Sequence, residues 1–141
     1  MAIKQISVFV ENKKGSLSET VKTISEAGIN LRALSIADTQ EFGILRIIAS
    51  DTDKAVEVLK DNTIVNVTDV IAVKMDDKQG ALHNVLEVLE NADINIDYSY
   101  AFTGSQTGAY VVIRVDSVDD AEKALNSNGV AVLTEADVSS L

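Results

Sequence analysis

With 141 residues, 46% of them hydrophobic, and a mean hydropathy of +0.13, the chain has the material for a buried core and sits near the length of one domain. It has no cysteine, which excludes disulfides, thiolate metal sites and thiol redox chemistry. The formal net charge of -10 opposes phosphate backbones, so nucleic-acid binding is not expected, and the scattered acidic residues read as a solvated surface.

No apolar run approaches the roughly 18 residues that span a bilayer, so no membrane partner is expected. The N-terminus passes directly from Met1-Ala2 into a strand-like segment without a basic region or signal-type stretch, and the expected location is the cytoplasm.

Ile3 to Val10 alternates Ile6, Val8 and Val10 with Gln5 and Ser7, a strand pattern. The polar loop Glu11-Asn12-Lys13-Lys14-Gly15 follows. Ser16-Leu17-Ser18-Glu19 predicts a capping box, and Leu17, Val21 and Ile24 predict the inward face of a helix that Gly28 ends. Ile29 to Asp38 predicts a second strand, Glu41-Phe42-Gly43 part of a turn, and Ile44 to Ser50 a third strand. Asp51 to Lys60 predicts a short helix capped from Asp51 to Asp53, with Ala55, Val58 and Leu59 inward. Ile64 to Val70 completes a βαββαβ order, the split-βαβ plan of the ferredoxin-like fold.

The order then recurs. Val70 to Met75 predicts a strand, Asp76 to Gly80 a loop, and Ala81 to Ala92 a helix with Leu82, Val85, Leu86 and Leu89 inward. Ile94 to Phe102 and Ala109 to Val115 predict a hairpin across residues 103–108. Ser117 to Leu125 predicts a helix with Asp119-Asp120 at its positive end, and Val130 to Val138 a last strand. Aliphatics of both parities in Ile44-Leu45-Arg46-Ile47-Ile48 and Tyr110-Val111-Val112-Ile113 predict that something covers the face away from the helices or extends that sheet, the plainer alternative being ordinary strand preference on a partly wet face. Tyr98, Tyr100 and Phe102 share one parity and read as core rather than as a base-stacking platform.

A shift of 65 positions makes the repeat explicit. Over residues 6 to 51 it gives eleven identities, at Ile6, Val8, Lys13, Gly15, Leu17, Ala27, Ile29, Asn30, Gly43, Ile48 and Asp51. Roughly three would arise from composition alone. The chain is therefore read as α+β, with two ferredoxin-like units at residues 1–69 and 70–141. Units of this size are marginal alone, and with the two-sided aliphatic strands they predict a homodimer or higher assembly.

The repeated residues are turn glycines, core aliphatics and one asparagine, not a catalytic set. The single histidine, His83, falls opposite Ser18 and lies outside the repeated feature. No Ser/His/Asp set, nucleotide loop or His/Cys ligand set is visible, so neither turnover nor a metal is expected. In both halves a glycine just before a helix leaves backbone N–H groups near Gly15 to Leu17 and Gly80 to Leu82 to receive a carboxylate. Asn12 and Asp77 match in the two loops and suit an ammonium group. Asn30 and Asn95 start the second strands and are expected close to the loops. A free amino acid carries both charges. The plainer alternative is that these are only turn and strand-start residues.

The stretch Val10-Glu11-Asn12-Lys13-Lys14-Gly15-Ser16-Leu17, an amphipathic helix, and then Ala27-Gly28-Ile29-Asn30-Leu31 resembles the ACT domain. That family is a βαββαβ regulatory module that binds amino acids and controls amino-acid metabolism. The second half, with Asp77, Gly80, Leu82 and Ala92-Asp93-Ile94-Asn95-Ile96, resembles another copy. The resemblance implies a ligand at an interface between two units. Its contacts would come from Glu11, Asn12, Lys14, Gly15, Ser16, Leu17 and Asn30, and from Asp76, Asp77, Gly80, Ala81, Leu82 and Asn95. Asn12 and Asn30 match both asparagines of the serine-sensing members, which makes the first-half loop the preferred site. Lys14 and Gln79 stand where the family often has proline, and Val10 and Met75 where serine-sensing members have histidine, so serine is not implied.

The expected function is thus that of a non-catalytic, amino-acid-binding regulatory protein with no cofactor beyond its effector. The alternative is a detached regulatory subunit that docks an amino-acid biosynthetic enzyme without a ligand of its own.

Overall fold

A computed structural model describes residues 2–38, 40–103 and 108–141. Its elements run β1 (Ile3–Glu11), α1 (Ser16–Glu26), β2 (Leu31–Asp38), β3 (Phe42–Ala49), α2 (Thr52–Leu59) and β4 (Val65–Met75). They continue α3 (Ala81–Asn91), β5 (Ile96–Thr103), β6 (Ala109–Val115), α4 (Val118–Ser127), β7 (Ala131–Val132) and α5 (Glu135–Ser139). The chain divides into two compact units, Lys4–Thr68 and Asp69–Leu141, with Ile3 grouped in the second. The boundary falls inside β4.

In the N-terminal unit the strand order is β2-β3-β1 and then the first residues of β4. β3 runs antiparallel to both neighbours, with Val8 opposite Leu45 and Leu34 opposite Ile47. Ile6, Val8, Val10, Leu45 and Ile47 turn one sheet face toward Ile24 of α1 and Ala55 and Leu59 of α2, forming a closed core. Burying each such aliphatic contributes about 1.5–3 kcal/mol, which is why the period-two residues fix the register.

In the C-terminal unit β4 pairs with β6 on one side and β7 on the other, and β5 pairs with β6. Ile71, Val73, Val111, Ile113 and Val115 pack against Val85 and Leu89 of α3 and Ala121 and Leu125 of α4. Each unit is a βαββαβ ferredoxin-like fold, as the repeat predicts. Residues of the other parity, Val70, Ala72 and Val112, are also fully buried, so the sheet is covered on both faces there. Tyr98, Tyr100 and Phe102 lie on the face away from the helices and are half-buried rather than core. The Phe102 ring stacks on Tyr110 at 5.2 Å and 22°.

Several expectations change. Ser16 does not cap α1: the helix starts one residue earlier than the box requires, with Gly15 as N-cap, and no side chain caps it. Inside the helix, Ser16 instead offers its carbonyl to the Thr20 hydroxyl at 3.1 Å. Leu17 and Leu82, assigned inward, are each 40% exposed at the second position of their helices. Phe42 and Gly43 are not turn residues but pair with Glu11 and Val10. Val130 to Val138 is not one strand. β7 spans two residues, and Thr134 and Asp137 then form a capping box that starts α5, whose Val138 is buried. Residues 104–107 of the predicted hairpin turn lie outside the described residues.

α2 is capped as predicted, the Asp51 carboxylate accepting from the Lys54 N–H at 3.0 Å. Gly28 ends α1 in the left-handed region at φ 75°. There the Gly28 N–H donates to the Ser25 carbonyl and the Ile29 N–H to that of Ile24, a Schellman closure.

Candidate functional site

The loop after β1 and the loop after β4 have one construction. The Ser16 N–H donates to the Lys13 carbonyl, and the first helical bond runs from the Glu19 N–H to the Gly15 carbonyl at 2.9 Å. In the second loop the Ala81 N–H donates to the Lys78 carbonyl, and the Asn84 N–H to that of Gly80 at 3.1 Å. Gly15 and Gly80 hold φ at 89° and 86°, so a side chain there would be strained even though a Cβ at either position would meet nothing within 4 Å. Glycine is required by the turn's left-handed backbone, not by crowding.

Between those bonds two donors stay open in each unit. Among the described residues the N–H groups of Leu17 and Ser18, and of Leu82 and His83, have no acceptor. The open donors sit at the positive end of an eleven-residue helix in each case. An anionic group placed there would complete them.

The flanking charges also repeat, which the sequence reading missed. Lys13 pairs with Glu11 at 2.8 Å, and Lys78 pairs with Asp76 at 3.2 Å. The hydrogen bond to Glu11, and then its charge, raise the Lys13 pKa above its ordinary value. The signal was present in the identity of Lys13 and Lys78 across the repeat. Glu11 and Asp76 are therefore engaged by lysines. Asn12 and Asp77 remain exposed beside them, as do Lys14 and Gly80, while Ala81 is buried.

A cleft of about 370 Å³ opens beside the first loop. The exposed side chains of Phe9, Phe42 and Ile64 line it, together with Ser16, Glu19 and Thr20 of α1. Of the predicted residues Glu11 and Ser16 line this cleft, whereas Asn12, Gly15, Leu17 and Asn30 do not.

Asn30 is not close to the first loop of its own unit. The Asn12 N–H donates to the Glu41 carbonyl at 3.0 Å, before β3 begins. Asn30 bonds Ser50, past the end of β3: its N–H donates to Ser50 Oγ at 3.0 Å, and its carbonyl accepts from the Ser50 N–H at 2.8 Å. From Glu41 to Ser50 an extended chain covers about 30 Å. β1 and β2 are both antiparallel to β3, so the end of one and the start of the other fall at opposite ends of the sheet.

The C-terminal unit repeats the separation. Met75, before Asp76 and Asp77, pairs with Ala109, while Ile96, after Asn95, pairs with Val115. The Asn95 amide donates to Asp97 at 3.1 Å and faces a second cleft of about 300 Å³, with Glu90, Asp93 and Asp116. His83 lies exposed in the first turn of α3. Among the described residues no group of three or more His, Cys, Asp or Glu is placed to hold a metal ion, and no helix is long and apolar enough to cross a membrane.

A family model described as an ACT domain pair matches residues 1–141. A protein of Bacteroides thetaiotaomicron of known crystal structure is 42% identical, with a TM-score of 0.93 over 100% of this chain and 98% of that one. The regulatory subunit of aspartate kinase from Thermus thermophilus, in its ligand-free form, is 13% identical, with a TM-score of 0.66 over 89% and 90% of the two chains. Its namesake from Thermus flavus is also 13% identical, with a TM-score of 0.61 over 88% and 90%. At that identity the two subunits share the fold. A comparison with curated protein sequences finds no match.

Proposed function

We propose a function that proceeds from one premise: the chain belongs to the ACT domain family, as a tandem pair. It is a regulatory protein without turnover of its own that senses a free amino acid. The observation that carries this reading is the pair of open N–H groups at the start of α1, repeated at the start of α3.

The amino-acid carboxylate sits on the N–H groups of Leu17 and Ser18, where two donors and the helix dipole favour an anion. Its ammonium sits by Asn12, and the side chain extends toward the Phe9 and Phe42 cleft. The second loop offers the N–H groups of Leu82 and His83, with Asp77 in the place of Asn12. A ligand that touched both Asn12 and Asn30 would need Asn30 from a second chain, since within one unit they lie at opposite sheet ends.

The second reading is a subunit that docks on an amino-acid biosynthetic enzyme. The exposed apolar side chains Phe9, Phe42 and Ile64 favour it, because a patch rimmed by polar residues suits a protein surface.

A thermal-shift screen against the twenty free amino acids tests the first reading. An effector at 100 times its Kd stabilises the folded state by about 2.7 kcal/mol, a readily measured shift. If no amino acid raises the Tm, the ligand-sensing reading fails and co-purification with a biosynthetic enzyme becomes the test of the second.

A further inference from the structure

The cleft beside the first loop combines an apolar lining with a carboxylate that nothing in the unit neutralises. Phe42 lies directly across from Glu11 in the β1–β3 ladder, and Phe9, two residues before Glu11, projects from the same side of the sheet. Two exposed aromatic rings and Ile64 therefore meet at the cleft. The flank of α1 supplies the rest. Ser16, Glu19 and Thr20 stand three and four residues apart, the spacing that gathers helix side chains on one side.

The polar groups of this lining have acceptors to offer and few donors. The Thr20 hydroxyl donates to the Ser16 carbonyl at 3.1 Å, and the Thr63 hydroxyl to the Phe9 carbonyl at 2.6 Å. Each has committed its proton and keeps only lone pairs. Glu11 is held by Lys13 at 2.8 Å. The Lys13 pKa is raised first by its bond to Glu11 and least by the charge of Glu19, so that lysine is committed to Glu11. Glu19 is exposed and forms no ion pair among the described residues.

Three kinds of side chain can be weighed against this lining. An acidic one would meet Glu19 as well as the field of a chain with net charge -10. A wholly apolar one would use the rings and leave Glu19 in water. A side chain with an aliphatic stem and a cationic end uses both, because the stem lies on apolar surface while the cation meets the carboxylate and the aromatic rings.

The second loop is built differently. At the equivalent positions, Lys74 stands for Phe9, Asn84 for Glu19, and the buried Ala81 and Val85 for Ser16 and Thr20. The first turn of α3 has no acidic residue. A cationic side chain would find a lysine there in place of a ring and an amide in place of the carboxylate.

We propose that the effector of the first site is a basic amino acid, its stem across Phe9 and Phe42 and its cationic end on Glu19, with Glu19 as the residue that selects it. This names the ligand class of the amino-acid-sensing reading and rests on that reading. The second loop does not share the specificity, so one basic amino acid binds per chain.

Calorimetry should compare L-lysine and L-arginine with L-norleucine, which keeps the carboxylate, the ammonium and the stem but has no charged end. A basic amino acid should bind about tenfold more tightly than norleucine, the advantage that an exposed ion pair and a cation beside aromatic rings supply together. The advantage should shrink as salt is raised, and the stoichiometry should be one per chain. Glu19→Gln should bring the basic amino acid down to the level of norleucine, whereas Phe42→Ala should weaken both alike. Both side chains are exposed, and circular dichroism checks that the variants fold. A neutral or acidic amino acid that binds as tightly as lysine and arginine would overturn the proposal and leave amino-acid sensing intact. So would a preference that survives Glu19→Gln, or two equivalents bound per chain. If none of the twenty amino acids binds, the sensing reading fails and this proposal falls with it.

Discussion

Asp93 stands where Gly28 stands in the other unit, and it holds the same left-handed backbone, φ 57° against 75°. Each follows the unit's first helix, and the closures match: the Asp93 N–H donates to the Glu90 carbonyl and the Ile94 N–H to that of Leu89. A Cβ in this region costs an L-residue roughly 1–2 kcal/mol, less for aspartate than for most. Asp93→Gly is therefore expected to stabilise the protein by up to about 1 kcal/mol, and Gly28→Ala to destabilise it by about 1 kcal/mol or more. Nothing lies within 4 Å of a Cβ at Gly28, so the cost there is purely conformational. Urea midpoints of the two variants check both signs.

Asn12→Ala and Asn30→Ala are each expected to weaken binding of the effector found in the screen by about 1–3 kcal/mol, the loss of one polar contact with its partner left unpaired. The two residues lie at opposite ends of one sheet, so a site using both takes them from different chains. Mixing the two variants should then restore tight sites that neither variant has alone. Calorimetry that shows no recovery on mixing would separate the two residues functionally.

Asp51→Ala is expected to cost about 1 kcal/mol of stability, because it leaves the Lys54 N–H at the start of α2 without its acceptor. Asp51→Asn should recover most of this loss in the same denaturation assay.

The Asp137 carboxylate accepts from the Thr134 N–H at 2.7 Å and from its hydroxyl at 2.8 Å. The backbone bond first, and then the hydroxyl, hold its pKa below the ordinary 3.8. Because the folded value is the lower one, the contribution to stability is complete above pH 3.8 and is lost as pH falls through the folded pKa. The stability advantage of the wild type over Asp137→Asn should accordingly shrink on acidification through that window, as followed by chemical denaturation at stepped pH.

The repeat was legible because its carriers are constrained by backbone and core. Gly15 and the alternating Ile6 and Val8 each have one conformation or face that suits them. The end of the chain was not, because Val130, Val132 and Val138 mimic strand spacing while the capping pair of Thr134 and Asp137 starts a helix. The site was half legible. Glycine before a helix announced the open donors, but adjacency of Asn12 and Asn30 depends on strand direction, which residue types do not encode. The exposure of Leu17 and Leu82 likewise does not follow from the apolar period of their helices.

β4 is one strand of eleven residues, yet the unit boundary at Thr68 and Asp69 runs through it. Two complete βαββαβ copies would need eight strands, and the described residues form seven, β4 ending one copy and opening the next. Neither half can be excised at that boundary without splitting a strand, so a truncation meant to isolate either unit has to keep the whole of β4 with it.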